Sequence, residues 1–280
     1  MKIGVSTYSF FSYMQKTGAT LPEVCTLAKE IGYEGIEFLN MNTDWERENF
    51  PEPLALALRA HCEKIGLAII AYTTDGDFIA RDPAAEVGRL KRCVDTAALM
   101  GAKTLRHDAA RGHESGWRDA VRIIAPAARE VTAYAEEKGV RTCIENHGFF
   151  LQDAARVEEL ILQVNHENYG WLVDIGNFAC VDEDSVYAVT IAAPYAFHVH
   201  AKDFLIKPYK EDDPGSGWFR SRHGRYLRGT VAGHGCIPIR ECVEILKKSG
   251  YDGWLSYEFE GMEDNLPALE AGLAYIKGTL

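Results

Sequence analysis

Short apolar runs recur along this chain, and each is followed by a longer stretch whose apolar positions return every three to four residues. The runs at 2–8, 34–39, 67–73, 103–107, 140–146, 170–175, 195–201 and 253–259 predict β-strands. The stretches between them predict amphipathic helices, for example Pro22–Ile31, Trp117–Lys138 and Asn265–Lys277. Several of these helical patterns close on a glycine, as in Lys-Glu-Ile-Gly32, Glu-Lys-Ile-Gly66, Ala-Leu-Met-Gly101, Glu-Glu-Lys-Gly139 and Lys-Lys-Ser-Gly250. Glycine tolerates the left-handed conformation that ends a helix, and lysine in the last turn complements the helix dipole. The first four of these glycines lie 34, 35 and 38 residues apart, about the length of one strand–helix unit.

Alternating strands and helices demand a parallel sheet, and eight such units predict an α/β class fold, a single (β/α)8 barrel. An open doubly wound sheet is the rival, but no glycine-rich phosphate loop follows the first strand. Gly32-Tyr33-Glu34-Gly35-Ile36-Glu37 and Gly250-Tyr251-Asp252-Gly253-Trp254 echo each other, as internally repeated units do. No linker or shift of composition divides the chain, so one domain spanning 1–280 is expected. The longest stretch without periodicity runs from about Asp203 to Gly235 and predicts a long loop after strand seven. Its aromatic residues, Trp218 and Phe219 among them, favour an ordered lid.

Polar residues interrupt this pattern at equivalent places. Glu145, Asp174, His200 and Glu258 each end an apolar run in the second half of the chain. A lone acid there is readily a salt-bridged residue, and a lone histidine a satisfied core residue. Four together at the C-terminal ends of barrel strands, where such folds place their chemistry, converge on one point. Three carboxylates and an imidazole at one point repel unless a cation holds them, which predicts one divalent metal ion: Mn, Mg, Co or Zn. Strand alternation puts Cys143 beneath Glu145, Leu172 beneath Asp174, His198 beneath His200 and Ser256 beneath Glu258.

Composition narrows the partners. A formal net charge of −11 argues against a broad nucleic-acid surface, and no apolar stretch approaches the length of a membrane span. The N-terminus enters a strand directly and shows no signal-peptide pattern. Seven scattered cysteines without a CxxC pair predict reduced, mostly buried thiols and a cytoplasmic protein.

These motifs resemble the xylose isomerase-like sugar phosphate isomerases and epimerases over nearly the whole chain. The resemblance is carried by Ile144-Glu145-Asn146-His147, Asp174-Ile175-Gly176-Asn177, His200-Ala201-Lys202-Asp203, Gly233-His234-Gly235 and Gly250-Tyr251-Asp252-Gly253-Trp254-Leu255-Ser256-Tyr257-Glu258. It implies that Glu145, Asp174, His200 and Glu258 bind one divalent cation. It also implies that Glu145 and Glu258 are catalytic, one removing a proton beside a carbonyl and the other returning one to the opposite face. The expected activity is isomerisation or epimerisation of a ketose, keto-sugar or sugar phosphate. An inosose dehydratase-like lyase on the same site, or a barrel that only binds a sugar, are the alternatives. Many relatives carry histidine three residues after the strand-six aspartate, where this chain has Asn177. That departure, the acidic charge and the lack of a strand-three histidine set the chain apart from the superfamily's nuclease branch. Family members are often dimers or tetramers, so homo-oligomerisation is a further expectation.

Further substrate contacts are expected from Lys202, Glu37, His107, His147, Asn177 and Arg228. Lys202 has a salt bridge with Asp203 as its plainer role. Arg220, Arg222, Arg225 and Arg228 form a cationic cluster suited either to a phosphate or carboxylate or to a solvated lid surface.

Overall fold

The computed structural model describes residues 1–40, 50–80, 82–208 and 211–280. Its parallel strands close in the order expected of consecutive strand–helix units. They are β1 (Lys2–Ser6), β2 (Gly35–Leu39), β3 (Ala68–Thr74), β4 (Thr104–His107), β5 (Arg141–Glu145), β6 (Tyr169–Asp174), β7 (Ala196–Ala201) and β11 (Trp254–Tyr257). β1 closes the barrel by pairing on both sides, with Val5 opposite Tyr257 and Gly4 opposite Gly35.

Helices wrap the outside: α1 (Phe11–Thr17), α2 (Leu21–Ile31), α3 (Glu52–Ile65), α4 (Pro83–Met100), α5 (Trp117–Glu137), α6 (Ala154–Val164), α7 (Ser185–Ala192), α8 (Ile239–Lys248) and α9 (Asn265–Lys277). Gly66 ends α3 with φ of 67° and donates its N–H to carbonyls of the last turn, so the predicted terminator role is met there. Outward strand residues such as Ile36, Phe38, Trp171 and Val173 pack against buried helix residues such as Val24, Leu58 and Val157 in one contiguous core. No helix among the described residues is long and apolar enough to cross a membrane. All seven cysteines are free, and only Cys236 is exposed.

Glycines admit a bulky side chain to the barrel interior. A Cβ at Gly4 would lie 2.4 Å from Ile70 Cδ1, and one at Gly35 would lie 2.6 Å from Ile70 Cγ2. Ile70 therefore fills the floor under β1 and β2, and leaves the upper barrel to polar residues.

The long connection after β7 carries strands of its own. It folds largely as a three-stranded antiparallel sheet, in which β10 (Tyr226–Thr230) pairs with both β8 (Asp203–Lys207) and β9 (Phe219–Arg220). Pro208, Pro214 and the nearby glycines punctuate short strands whose partners are distant in sequence, so local periodicity reads as loop. Asp203 anchors this excursion. Its Oδ1 accepts from the N–H groups of Phe204 and Ile237 at 2.9 and 3.0 Å, and its Oδ2 from Gly233 and Gly235 at 2.8 and 2.9 Å. A Cβ at Gly235 would lie 2.1 Å from Asp203 Oδ1, so the close approach needs glycine.

Candidate metal centre

Parallel register brings the polar strand ends to one level, since Asp174 is paired with His200 and Glu145 with Leu172. Glu258 follows β11, and its backbone N–H bonds to Ala201 of β7. One donor atom each from Glu145, Asp174, His200 and Glu258 lies within 4.8 Å of all the others. His200 Nδ1 is 3.5 Å from Glu258 Oε2, 3.8 Å from Asp174 Oδ2 and 3.9 Å from Glu145 Oε1. Two of these atoms, His200 Nδ1 and Asp174 Oδ2, are buried without a hydrogen-bond partner among the described residues, and of the two only Asp174 Oδ2 has a cation beside it, Lys202 Nζ at 3.3 Å. Buried polar atoms ordinarily find a partner, and this pair sits against the carboxylates of Glu145 and Glu258. Oxygen donors with one imidazole therefore fit a divalent cation of the Mg, Mn, Co or Zn kind.

Each donor is held by specific neighbours. Asp174 Oδ1 accepts from the N–H groups of Gly176 and Asn177 at 2.8 and 3.0 Å, which turns Oδ2 inward. Asn146 accepts the N–H of Asp174 and donates to its carbonyl, tying β5 to β6. Glu145 receives Arg106 Nη2 on Oε2 at 2.8 Å and Asn177 Nδ2 on Oε1 at 2.9 Å. His200 Nε2 meets Glu37 Oε2 at 2.7 Å. Lys202 Nζ lies 2.6 Å from Glu258 Oε2, 3.3 Å from Asp174 Oδ2 and 3.5 Å from Glu260 Oε2.

The charges tune one another. Burial would raise the Glu258 carboxyl, but Lys202 and His200 hold it well below the usual carboxylate range. Burial would lower Lys202 and His200, yet Asp174 and Glu258 beside Lys202, and Glu37 and Glu258 beside His200, raise both. Glu145 is pushed up by burial, with the Arg106 guanidinium opposing.

The other predicted residues separate. Lys202 joins the centre and pairs with Glu258 rather than with Asp203. Asn177 cross-links Glu145, Asp174 and, at 3.3 Å, Lys202. His147 stands at the rim, 51% exposed, with Nδ1 3.5 Å from Asp108 Oδ1. Glu37 is fully buried beneath His200, so it is not placed to touch a substrate at the mouth.

His107 does not line the mouth either. It points outward between Phe78 and Tyr169, with Nδ1 2.8 Å from the carbonyl of Asp108. Its neighbour Arg106 takes the inward position, because successive side chains alternate. The arginine cluster does not converge. Arg220 donates to Tyr226, Arg222 to Asp153 and the Phe149 carbonyl, and Arg225 pairs with Asp182 at 3.5 Å. Arg228 stacks over Trp218 at 5.3 Å, and no ion pair joins it to the four candidate ligands.

Four residues at or near the centre escape a reading of sequence: Arg106, Asp108, Tyr8 and Glu260. Arg106 Nη2 also bonds Asp108 Oδ1 at 2.7 Å, and Tyr8 Oη lies 3.5 Å from Glu260 Oε2. An arginine inside the short strand Thr104–His107 is the one signal that points to any of them.

Residues 25–279 match the family model described as xylose isomerase-like TIM barrel. An inosose dehydratase of Histophilus somni (strain 129Pt) is 26% identical over 176 residues, which is 59% of this chain and 54% of that protein. The matched region thus spans about half the length of that curated relative. Among solved structures, the IolI protein with a bound zinc atom aligns with a TM-score of 0.76 and 17% identity, covering 100% of this chain and 98% of that one. A D-allulose 3-epimerase from Methylomonas sp. aligns with a TM-score of 0.74 and 16% identity, covering 100% and 98%. At these identities the solved structures show a shared fold.

Proposed function

Because the chain belongs to the xylose isomerase-like TIM barrel family, we propose that it is a divalent-metal-dependent isomerase or epimerase of a polyhydroxy ketone, working by proton abstraction beside a carbonyl. The observation that carries this reading is the convergence of Glu145, Asp174, His200 and Glu258, with His200 Nδ1 left without a hydrogen-bond partner among the described residues. A cation held by these four residues would supply Lewis acidity to a carbonyl oxygen and offset the negative charge developing there.

The chain's own residues do the rest. One of the paired carboxylates, Glu145 or Glu258, takes the proton from carbon, and the C–H electron pair becomes the new C=C bond. The other glutamate returns a proton to the opposite face, which inverts the centre, or to the neighbouring carbon, which moves the carbonyl. Arg106 and Asn177 fix the plane of Glu145, and Lys202 fixes that of Glu258. Positioning of this kind lowers the barrier by holding the base within reach of the C–H bond.

The named relative favours a second reading, dehydration of an inosose. Its first step is the same proton abstraction. The enediolate then expels a β-hydroxyl, which leaves as water after taking a proton from a donor in the site.

Proton NMR in D₂O, with Mg²⁺ or Zn²⁺ present, tests the reading over a panel of ketoses, keto-inositols and their phosphates. Loss of a C–H signal beside the carbonyl is expected, with a product of unchanged composition. A product short of one water selects the dehydratase. No exchange on any compound, with metal demonstrably bound, overturns the proton-abstraction reading.

A further inference from the structure

Below the four candidate ligands the barrel contains a second polar layer that the proposed chemistry does not use. Glu37 of β2, Thr73 of β3, His198 of β7 and Ser256 of β11 all face inward and are buried. Interiors of such barrels are filled mainly by branched apolar side chains, and every buried polar group costs free energy unless it is hydrogen-bonded. Here the bonds centre on one carboxylate. Thr73 Oγ1 donates to Glu37 Oε1, while Oε2 meets His200 Nε2 at 2.7 Å and His198 Nε2 at 3.0 Å. Ser256 Oγ lies 3.1 Å from His198 Nε2.

A carboxylate accepts and cannot donate, so the His200 nitrogen that meets Glu37 carries the proton. In the neutral ring the lone pair then sits on Nδ1. That atom faces Glu258, Asp174 and Glu145 and has no hydrogen-bond partner among the described residues. Thr73 and His198 brace the Glu37 carboxylate from two other strands.

We propose that Glu37 is a positioning residue, which holds His200 as the Nε2–H tautomer with Nδ1 aimed at the three carboxylates and so sets the affinity of the centre for a divalent cation. The inference rests on the reading of the quartet as a metal centre. Carboxylates that accept from the far nitrogen of a ligating imidazole fix the ring's orientation and raise its basicity.

Two measurements on the full chain test it. In protein labelled with ¹⁵N-histidine and loaded with ¹¹³Cd²⁺, only the ligating nitrogen couples to cadmium. Coupling at Nδ1 of one histidine, with a proton on its Nε2, is the expected result, and coupling at Nε2 overturns the proposal. By chelator competition, Glu37→Gln is expected to bind Zn²⁺ about 10- to 100-fold more weakly. Thr73→Val, which leaves the contact with His200 in place, should fall well short of that loss. A merely structural Glu37 would lower the melting temperature of the metal-free protein and leave the Zn²⁺ affinity of folded molecules unchanged. Zn²⁺ binding by Glu37→Gln within twofold of wild type overturns this inference alone, whereas a wild type that binds neither ion overturns the metal reading with it. If Glu37→Gln fails to fold, the cadmium spectrum of the wild type decides.

Discussion

Arg106→Met should destabilise the metal-free protein substantially, and divalent cation should restore part of the loss. The guanidinium is 5% exposed, with Nη2 2.7 Å from Asp108 Oδ1 and 2.8 Å from Glu145 Oε2. Methionine keeps much of the stem volume and removes the charge. Glu145 is then a buried carboxylate beside Asp174 and Glu258 with no cation on Oε2. Breaking one partner out of a buried ion pair costs about 3–5 kcal/mol. At about 2 °C per kcal/mol for a chain of this size, the melting temperature in EDTA should fall by roughly 6–10 °C.

A cation bound by Glu145 replaces the missing charge, so with Zn²⁺ in excess the deficit should shrink. Acid should shrink it too. Burial already raises Glu145, and losing Arg106 raises it further above its unfolded value of about 4.3. A raised carboxyl pKa disfavours the folded state as pH climbs through that window, so the deficit is smallest below it. Urea unfolding in EDTA and in Zn²⁺, followed by tryptophan fluorescence, measures both quantities. A loss under about 1 kcal/mol in EDTA, or an equal loss with and without metal, would refute the reasoning.

Metal linkage gives a second expectation. At a hundredfold excess of cation over Kd the wild type should gain about 2.7 kcal/mol, and Asp174→Asn should erase most of that gain in thermal melts with and without EDTA. A third concerns the excursion after β7. Asp203→Ala strips the acceptor from four backbone N–H groups of the β8 and pre-α8 segments. Unpaired buried donors cost about 1–3 kcal/mol each, less where water reaches them, so a total loss of several kcal/mol is expected from urea unfolding. Unchanged stability would mean that Asp203 does not anchor the excursion.

Much of the architecture is legible locally. Period-two runs, period-3.6 stretches and terminating glycines such as Gly66 are set by the geometry of a few consecutive residues. The eight barrel strands accordingly begin and end within about two residues of the predicted spans. The strand-end position of Glu145, Asp174, His200 and Glu258 is local in the same sense, and closure of a parallel barrel brings such ends to one rim. Depth, phase and partners are not local. The four-residue strand β4 is too short to show which face of Arg106 and His107 is inward. Glu37 lies two residues before the end of β2, and inward packing beneath His200 makes it a buried acceptor. The excursion strands pair across 6 to 27 positions with few periods to announce them.

The sequence by itself thus determined the repeating unit, the parallel barrel and the four polar strand ends, because each depends on side-chain alternation and helix termination over short spans. Tertiary structure alone decided which cation faces which carboxylate: Arg106 against Glu145, Lys202 against Glu258, Arg222 against Asp153 and Arg225 against Asp182. Ion pairing acts through space between atoms a few ångströms apart, and the residues that meet here lie tens of positions apart along the chain.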